Sequence, residues 1–170
     1  MKLKKNIYLI GMMGSGKTSI GKRLSCILKV DFFDSDMEII TQTGASINYI
    51  FDIEGETGFR KRETKVIKEL CQRKNIVLST GGGAVLSEEN QQQFKNGTVI
   101  YLNADINILV NRIKNSKNRP LLENNPKETL EKIFIIRDPI YRKIADLVVD
   151  TKHKKIYAVI KEIKQFLKTI

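Results

Sequence analysis

Short apolar runs alternate along this chain with longer stretches in which apolar positions recur every three to four residues. The runs at 6–10, 31–33, 76–79, 99–102 and 147–149 have the length and the β-branched or aromatic content of strands. The stretches at 17–28, 37–43, 47–53, 58–74, 87–94, 106–114, 127–144 and 156–167 carry helical periodicity. Alternation of this kind predicts an α/β fold, a parallel sheet covered by helices on both faces. No internal repeat and no Gly/Ser/Pro linker divides the chain, and 170 residues suffice for one core, so a single domain over 1–170 is expected. The segment from Asn115 to Pro126 stands apart. It is polar, Asn-rich and punctuated by Pro120 and Pro126, which predicts a mobile surface loop suited to act as a lid over about 114–126.

Composition changes this picture in one respect. Hydrophobic residues at 41% and charged residues at 29% are ordinary for a globular domain, but the formal net charge is +11. Such a balance fits nucleic acid, a membrane surface or small anions. The lysines are spread along the whole chain, with no dense basic tract and no interleaved aromatic residues, so no nucleic-acid partner is expected. Cys26 and Cys71 lie far apart outside any metal-binding spacing, and are expected to be small core residues in a reducing cytosol. The opening Lys2-Leu3-Lys4-Lys5 precedes an apolar run, but Gly11, Gly14, Gly16 and Lys17 break that run short of a secretory signal. No stretch approaches the ~20 apolar residues of a membrane span. A soluble cytoplasmic protein with no membrane partner is expected.

The chemistry begins at residues 11–18, Gly-Met-Met-Gly-Ser-Gly-Lys-Thr, which fit the phosphate-loop pattern G-x-x-x-x-G-K-[ST]. Glycines let the backbone turn its N–H groups toward phosphate oxygens, and the helix that follows adds its positive end. Lys17 reaches the outer phosphates and the Thr18 hydroxyl ligates Mg²⁺. Gly14, Ser15, Gly16 and Ser19 complete the expected ATP-binding set. Next, Asp34-Ser35-Asp36 closes the second strand run, with two carboxylates at i and i+2 on one side of an extended segment. One can hold metal-bound water while the other orients or deprotonates an acceptor hydroxyl. Either, or Ser35, can also cap the helix that follows.

Arg60, Arg112, Arg119 and Arg137 are candidates for bidentate binding of phosphate or carboxylate, which lysine does not match. Gly81, Gly82 and Gly83 follow the strand run at 76–79, where ligands sit in parallel sheets and backbone can approach them closely; a plain flexible turn is the other reading.

Six motifs in order bring these residues together: 11–18, Asp-Ser-Asp at 34–36, Gly-Glu-x-x-Phe-Arg at 55–60, Gly-Gly-Gly-Ala at 81–84, Arg-Pro-Leu-Leu at 119–122 and Arg-Asp-Pro-Ile-Tyr at 137–141. In this combination the chain resembles the shikimate kinase family, of the nucleoside-monophosphate-kinase-like P-loop group, along essentially its whole length. The resemblance implies a five-stranded parallel sheet of order 2-3-1-4-5 and transfer of the ATP γ-phosphoryl group to the 3-hydroxyl of shikimate. It implies that Asp36 binds the shikimate hydroxyls as the proposed base and that Asp34 lies near Mg²⁺. Arg60 and Arg137 are matched to the pair gripping the shikimate carboxylate, and Gly82 to a backbone contact with the substrate. Arg119 corresponds to a lid arginine approaching the ATP phosphates, and Arg112 to one flanking adenine. A shikimate-binding helical segment is implied at about 36–62. One departure stands out: Val149-Asp150-Thr151 is followed by Lys152-His153-Lys154-Lys155, where the family usually carries a proline or small residue after a single basic one. His153, the only histidine, is expected on the adenine side or the surface.

Residues and resemblance predict the same mechanism. A loose phosphoryl-transfer transition state needs positioning and charge neutralisation. Lys17, Mg²⁺ on Thr18, and Arg119 supply positive charge, while Asp36, Arg60 and Arg137 hold the acceptor, with Glu63 orienting Arg60. The rivals are a kinase for gluconate or a nucleotide, and a P-loop regulatory protein. The arginine pair favours shikimate over a nucleobase, and a chain of this length has no room for fused DNA-binding helices. A monomer is expected.

Overall fold

Alternate residues of a strand leave a sheet in opposite directions, and the two apolar surfaces so produced organise this molecule. The computed structural model describes residues 3–114 and 125–170. Its strands β1 (Ile7–Ile10), β2 (Asp31–Asp34), β3 (Ile76–Ser79), β4 (Thr98–Asn103) and β5 (Leu147–Asp150) form one sheet in the order β2-β3-β1-β4-β5. Every pairing is parallel. Ile7 and Leu9 of β1 point into a core with Val77, Ile100 and Leu102, closed by α1 (Lys17–Leu28) and α7 (Ile156–Leu167). Tyr8 and Ile10 point the other way, into a larger core closed by α3 (Ile47–Cys71) and α6 (Pro126–Ile144). All four residues of β1 are fully buried, as a central strand covered on both faces requires.

The expected bounds of α1, β3, α7 and α5 (Ile106–Lys114) are those observed. α2 (Ser35–Thr43) starts two residues earlier than its apolar period, because the Asp34 side chain accepts from the N–H groups of Asp36 and Met37 and caps the helix. The two helices expected at 47–53 and 58–74 are the halves of α3, separated at Gly55, whose φ of 68° is left-handed. The second half ends at Cys71 rather than Lys74. Between β3 and α4 (Glu88–Phe94) a single 3₁₀ turn, Ala84–Leu86, is too short to leave a period in the sequence. The loop expected at about 114–126 falls almost wholly outside the described residues, and Arg119 with it.

Parallel strands present their carboxyl ends along one edge. With β3 and β4 flanking β1, the chain leaves the sheet on opposite sides of its first strand, which opens a crevice at that edge. The phosphate loop, the Asp-Ser-Asp segment and the glycine triplet all follow strand ends at this crevice.

Candidate active site

The turn from β1 into α1 is shaped by glycine. Gly11 has φ 140°, and a Cβ there would lie 2.7 Å from the Leu102 carbonyl oxygen; Gly16, at φ 94°, caps α1 without a side chain. The first turn of α1 contains no acidic residue, so its N–H groups and its dipole face the crevice uncompensated. Lys17 is buried and donates to the Gly11 and Met12 carbonyls at 2.8 Å each. The buried Ser15 hydroxyl has no hydrogen-bond partner among the described residues. Arg112 of α5 donates to the Gly14 carbonyl at 3.0 Å, joining the outer rim of the loop.

The Asp-Ser-Asp segment divides its work among three side chains. Asp34 accepts from the Thr18 hydroxyl at 2.7 Å through Oδ2, while its Oδ1 accepts the Asp36 N–H at 3.1 Å. The capping reading therefore holds, and the same carboxylate reaches the phosphate loop through its other oxygen. Ser35, fully buried, accepts the Gly81 N–H at 2.9 Å and ties β2 to the glycine triplet. Sequence reasoning gave Ser35 no role beyond a cap, and only this contact across 46 residues reveals one. Asp36 projects beside the triplet: a Cβ on Gly81 would stand 3.0 Å from Asp36 Oδ1 and 2.5 Å from Glu63 Oε1.

Arg60 and Arg137 flank the same triplet. A Cβ on Gly83 would collide with the Arg60 guanidinium, and one on Gly82 would lie 3.5 Å from Arg137 Nη1. Arg60 donates to Glu63 Oε2 at 2.6 Å and to Glu56 at 3.1 Å, the latter contact unforeseen from sequence. Burial works to lower the Arg60 pKa, but Glu63 and Glu56 outweigh it and hold the pKa above its ordinary value. Burial raises the Glu63 carboxyl above the usual range, Arg60 pulls it back down, and Asp36 pushes it up. Glu63 is fully buried, and its Oε1 has no hydrogen-bond partner among the described residues. Arg137 is 8% exposed, a buried guanidinium of α6 beside the crevice.

These groups line one cleft of about 910 Å³, with the phosphate loop and Arg112 at one end and Asp36, Arg60, Glu63, Arg137 and the triplet at the other. Lys154 and Ile156 also line it, and Lys154 pairs with Glu162 at 2.6 Å. His153 is exposed, and it does not line the cleft. Of the expected site residues only Arg119 lies outside the described structure.

An anion cradle opening onto a second pocket that carries its own carboxylate and two guanidinium groups is the layout of a P-loop phosphotransferase for a small anionic acceptor. A family model described as shikimate kinase matches residues 13–168. Two curated proteins named shikimate kinase are similar: one from Nitrosospira multiformis is 53% identical over 86% of this chain and 76% of its own, and one from Pasteurella multocida is 51% identical over 89% and 88%. The solved shikimate kinase of Acinetobacter baumannii in complex with shikimate superposes with a TM-score of 0.94 at 43% identity, covering 97% of this chain and 93% of that one. This chain belongs to the shikimate kinase family. A gluconokinase from Sinorhizobium meliloti, at 16% identity and a TM-score of 0.64, shares the fold alone.

Proposed function

We propose that this chain transfers the γ-phosphoryl group of ATP to the 3-hydroxyl of shikimate, in aromatic amino-acid biosynthesis, with the roles divided as follows. The observation that carries this division is the single cleft joining the phosphate loop to Asp36, Arg60 and Arg137. Backbone N–H groups of residues 14–19 and Lys17 hold the ATP phosphates, and Arg112 supports that end from Gly14. Arg60 and Arg137 grip the shikimate carboxylate as guanidinium forks, with Glu63 fixing Arg60 by its 2.6 Å contact. Gly81, Gly82 and Gly83 admit the substrate ring, because any side chain on them would meet Asp36, Glu63, Arg60 or Arg137. Asp36 holds the attacking hydroxyl and takes its proton. Residues 36–62 form the acceptor-binding segment of a single kinase domain.

The Thr18 hydroxyl and the Asp34 carboxylate, 2.7 Å apart, are a hard oxygen pair that would hold Mg²⁺. The chemistry that such an ion would supply there is positive charge against the phosphates. No helix among the described residues is long and apolar enough to cross a membrane, and we place the protein in the cytoplasm as a monomer.

ADP release measured with shikimate, quinate, gluconate, AMP and no acceptor tests this reading. Turnover should rise well above background with shikimate alone and cease when the metal is chelated. Equal turnover with gluconate or AMP would overturn the acceptor. In the same assay, Arg137→Ala should weaken shikimate binding by about 2–3 kcal/mol with ATP binding nearly unchanged, since a charge-assisted contact is lost from a largely enclosed pocket. Calorimetry showing equal losses for both ligands would make Arg137 structural.

A further inference from the structure

The mechanism above gives no role to the buried hydroxyl of Tyr141, beside the acceptor pocket. Tyr141 is fully buried on α6, one helical turn after Arg137 and on the same face. Its hydroxyl donates to the Gly82 carbonyl at 2.5 Å, a contact spanning 59 residues of chain. The same oxygen lies 3.9 Å from the Met12 sulfur, within the phosphate loop. The glycine triplet itself rests on that loop: a Cβ on Gly82 would be 3.3 Å from Met13 N and 3.4 Å from the Gly11 carbonyl oxygen. Tyr141 thus stands where α6, the triplet and the phosphate loop meet.

The Tyr141 ring is held independently of that hydroxyl. It stacks on Tyr101 of β4 with centroids 4.8 Å apart and planes 29° apart. Tyr101 donates to Asp138 at 2.8 Å, and Asp138 also accepts from Arg142 at 2.8 Å. Pro139, between Arg137 and Tyr141, lacks the N–H that would bond back to Ile135, so the helix alone holds this stretch less firmly. Removing only the hydroxyl therefore leaves the stack and the Asp138 bridge in place.

We propose that Tyr141 is a positioning residue for the acceptor, its hydroxyl fixing the Gly82 peptide in register with the Arg137 guanidinium. This rests on the reading that Arg137 and the triplet hold shikimate. A carbonyl held by a buried phenol cannot rotate, so the peptide planes of the triplet keep one orientation toward the substrate while α6 keeps Arg137 beside them. Burial pushes the phenol well above its ordinary pKa, with Arg137 pulling the other way, so it remains a donor throughout the working pH range.

The test compares Tyr141→Phe with Tyr101→Phe, which removes a hydroxyl from the same stack without touching the triplet or Arg137. Tyr141→Phe is expected to raise the shikimate KM about tenfold while the ATP KM changes less than about twofold. Tyr101→Phe should leave both KM values near wild type. A double-mutant cycle with Arg137→Lys supplies a readout that plain destabilisation would not move, namely losses in shikimate binding that are smaller together than their sum. A wild-type shikimate KM in Tyr141→Phe, equal losses for ATP and shikimate, additive losses in the cycle, or failure of Tyr141→Phe to fold would each overturn the proposal. Absence of shikimate turnover in the wild-type enzyme would instead overturn the functional reading beneath it.

Discussion

Lys17→Met should abolish nearly all turnover, by roughly 10³-fold or more, while leaving the fold as stable as before. One preorganised neutral donor at a developing anion is worth about 10²–10³ in rate, and a charged donor exceeds a neutral one. Lys17 is buried in the phosphate loop, with its ammonium bound to the carbonyls of Gly11 and Met12. ATP phosphates offer that ammonium stronger partners than neutral carbonyls. Methionine fills the same volume without a charge, and exchanging a buried ion for an apolar group is often neutral or stabilising. Steady-state kinetics and a thermal melt on one preparation separate the two effects. Turnover within about tenfold of wild type would mean that the phosphate charge is met elsewhere. A large fall in the melting midpoint would mean that the lysine holds the loop rather than the nucleotide.

The parts of this site that sequence made legible are those set by local spacing. Gly11, Gly16, Lys17 and Thr18 lie within eight residues, and each residue type has one physical job in a turn from strand to helix. The strand runs were legible because β1 and β3 are buried on both faces and leave short unbroken apolar runs. Asp34 carried two compatible readings, cap and metal neighbour; the cap is made through Oδ1, while Oδ2 accepts from the Thr18 hydroxyl of the phosphate loop. Contacts across the chain were not legible. Ser35 to Gly81 and Tyr141 to Gly82 join residues 46 and 59 positions apart, and neither serine nor tyrosine carries a local signature for such a bond. Arg60 was foreseen with Glu63, three residues on along a helix. Its second partner, Glu56, lies four residues back along the same helix, in the turn just after the Gly55 break.

Asp36→Asn should lower turnover by roughly 10²–10⁴-fold, the range over which a positioned acid or base contributes. Two carboxylates stand beside Gly81, and they are not equivalent. Glu63 is fully buried and committed to Arg60 at 2.6 Å, so its work is to hold that guanidinium. Asp36, on the first turn of α2 and lining the cleft, is therefore the carboxylate that the proposed mechanism assigns to the acceptor hydroxyl. Asparagine has the same shape and keeps the Asp36 N–H bond to Asp34, so α2 remains capped. It can still hydrogen-bond the hydroxyl, but it carries no charge and cannot take a proton. The loss should therefore fall mainly on kcat, with the shikimate KM moving less than about tenfold. Measuring kcat and both KM values distinguishes the cases. If Asp36→Asn keeps turnover within about fivefold of wild type, the carboxylate takes no proton and serves only to orient the acceptor.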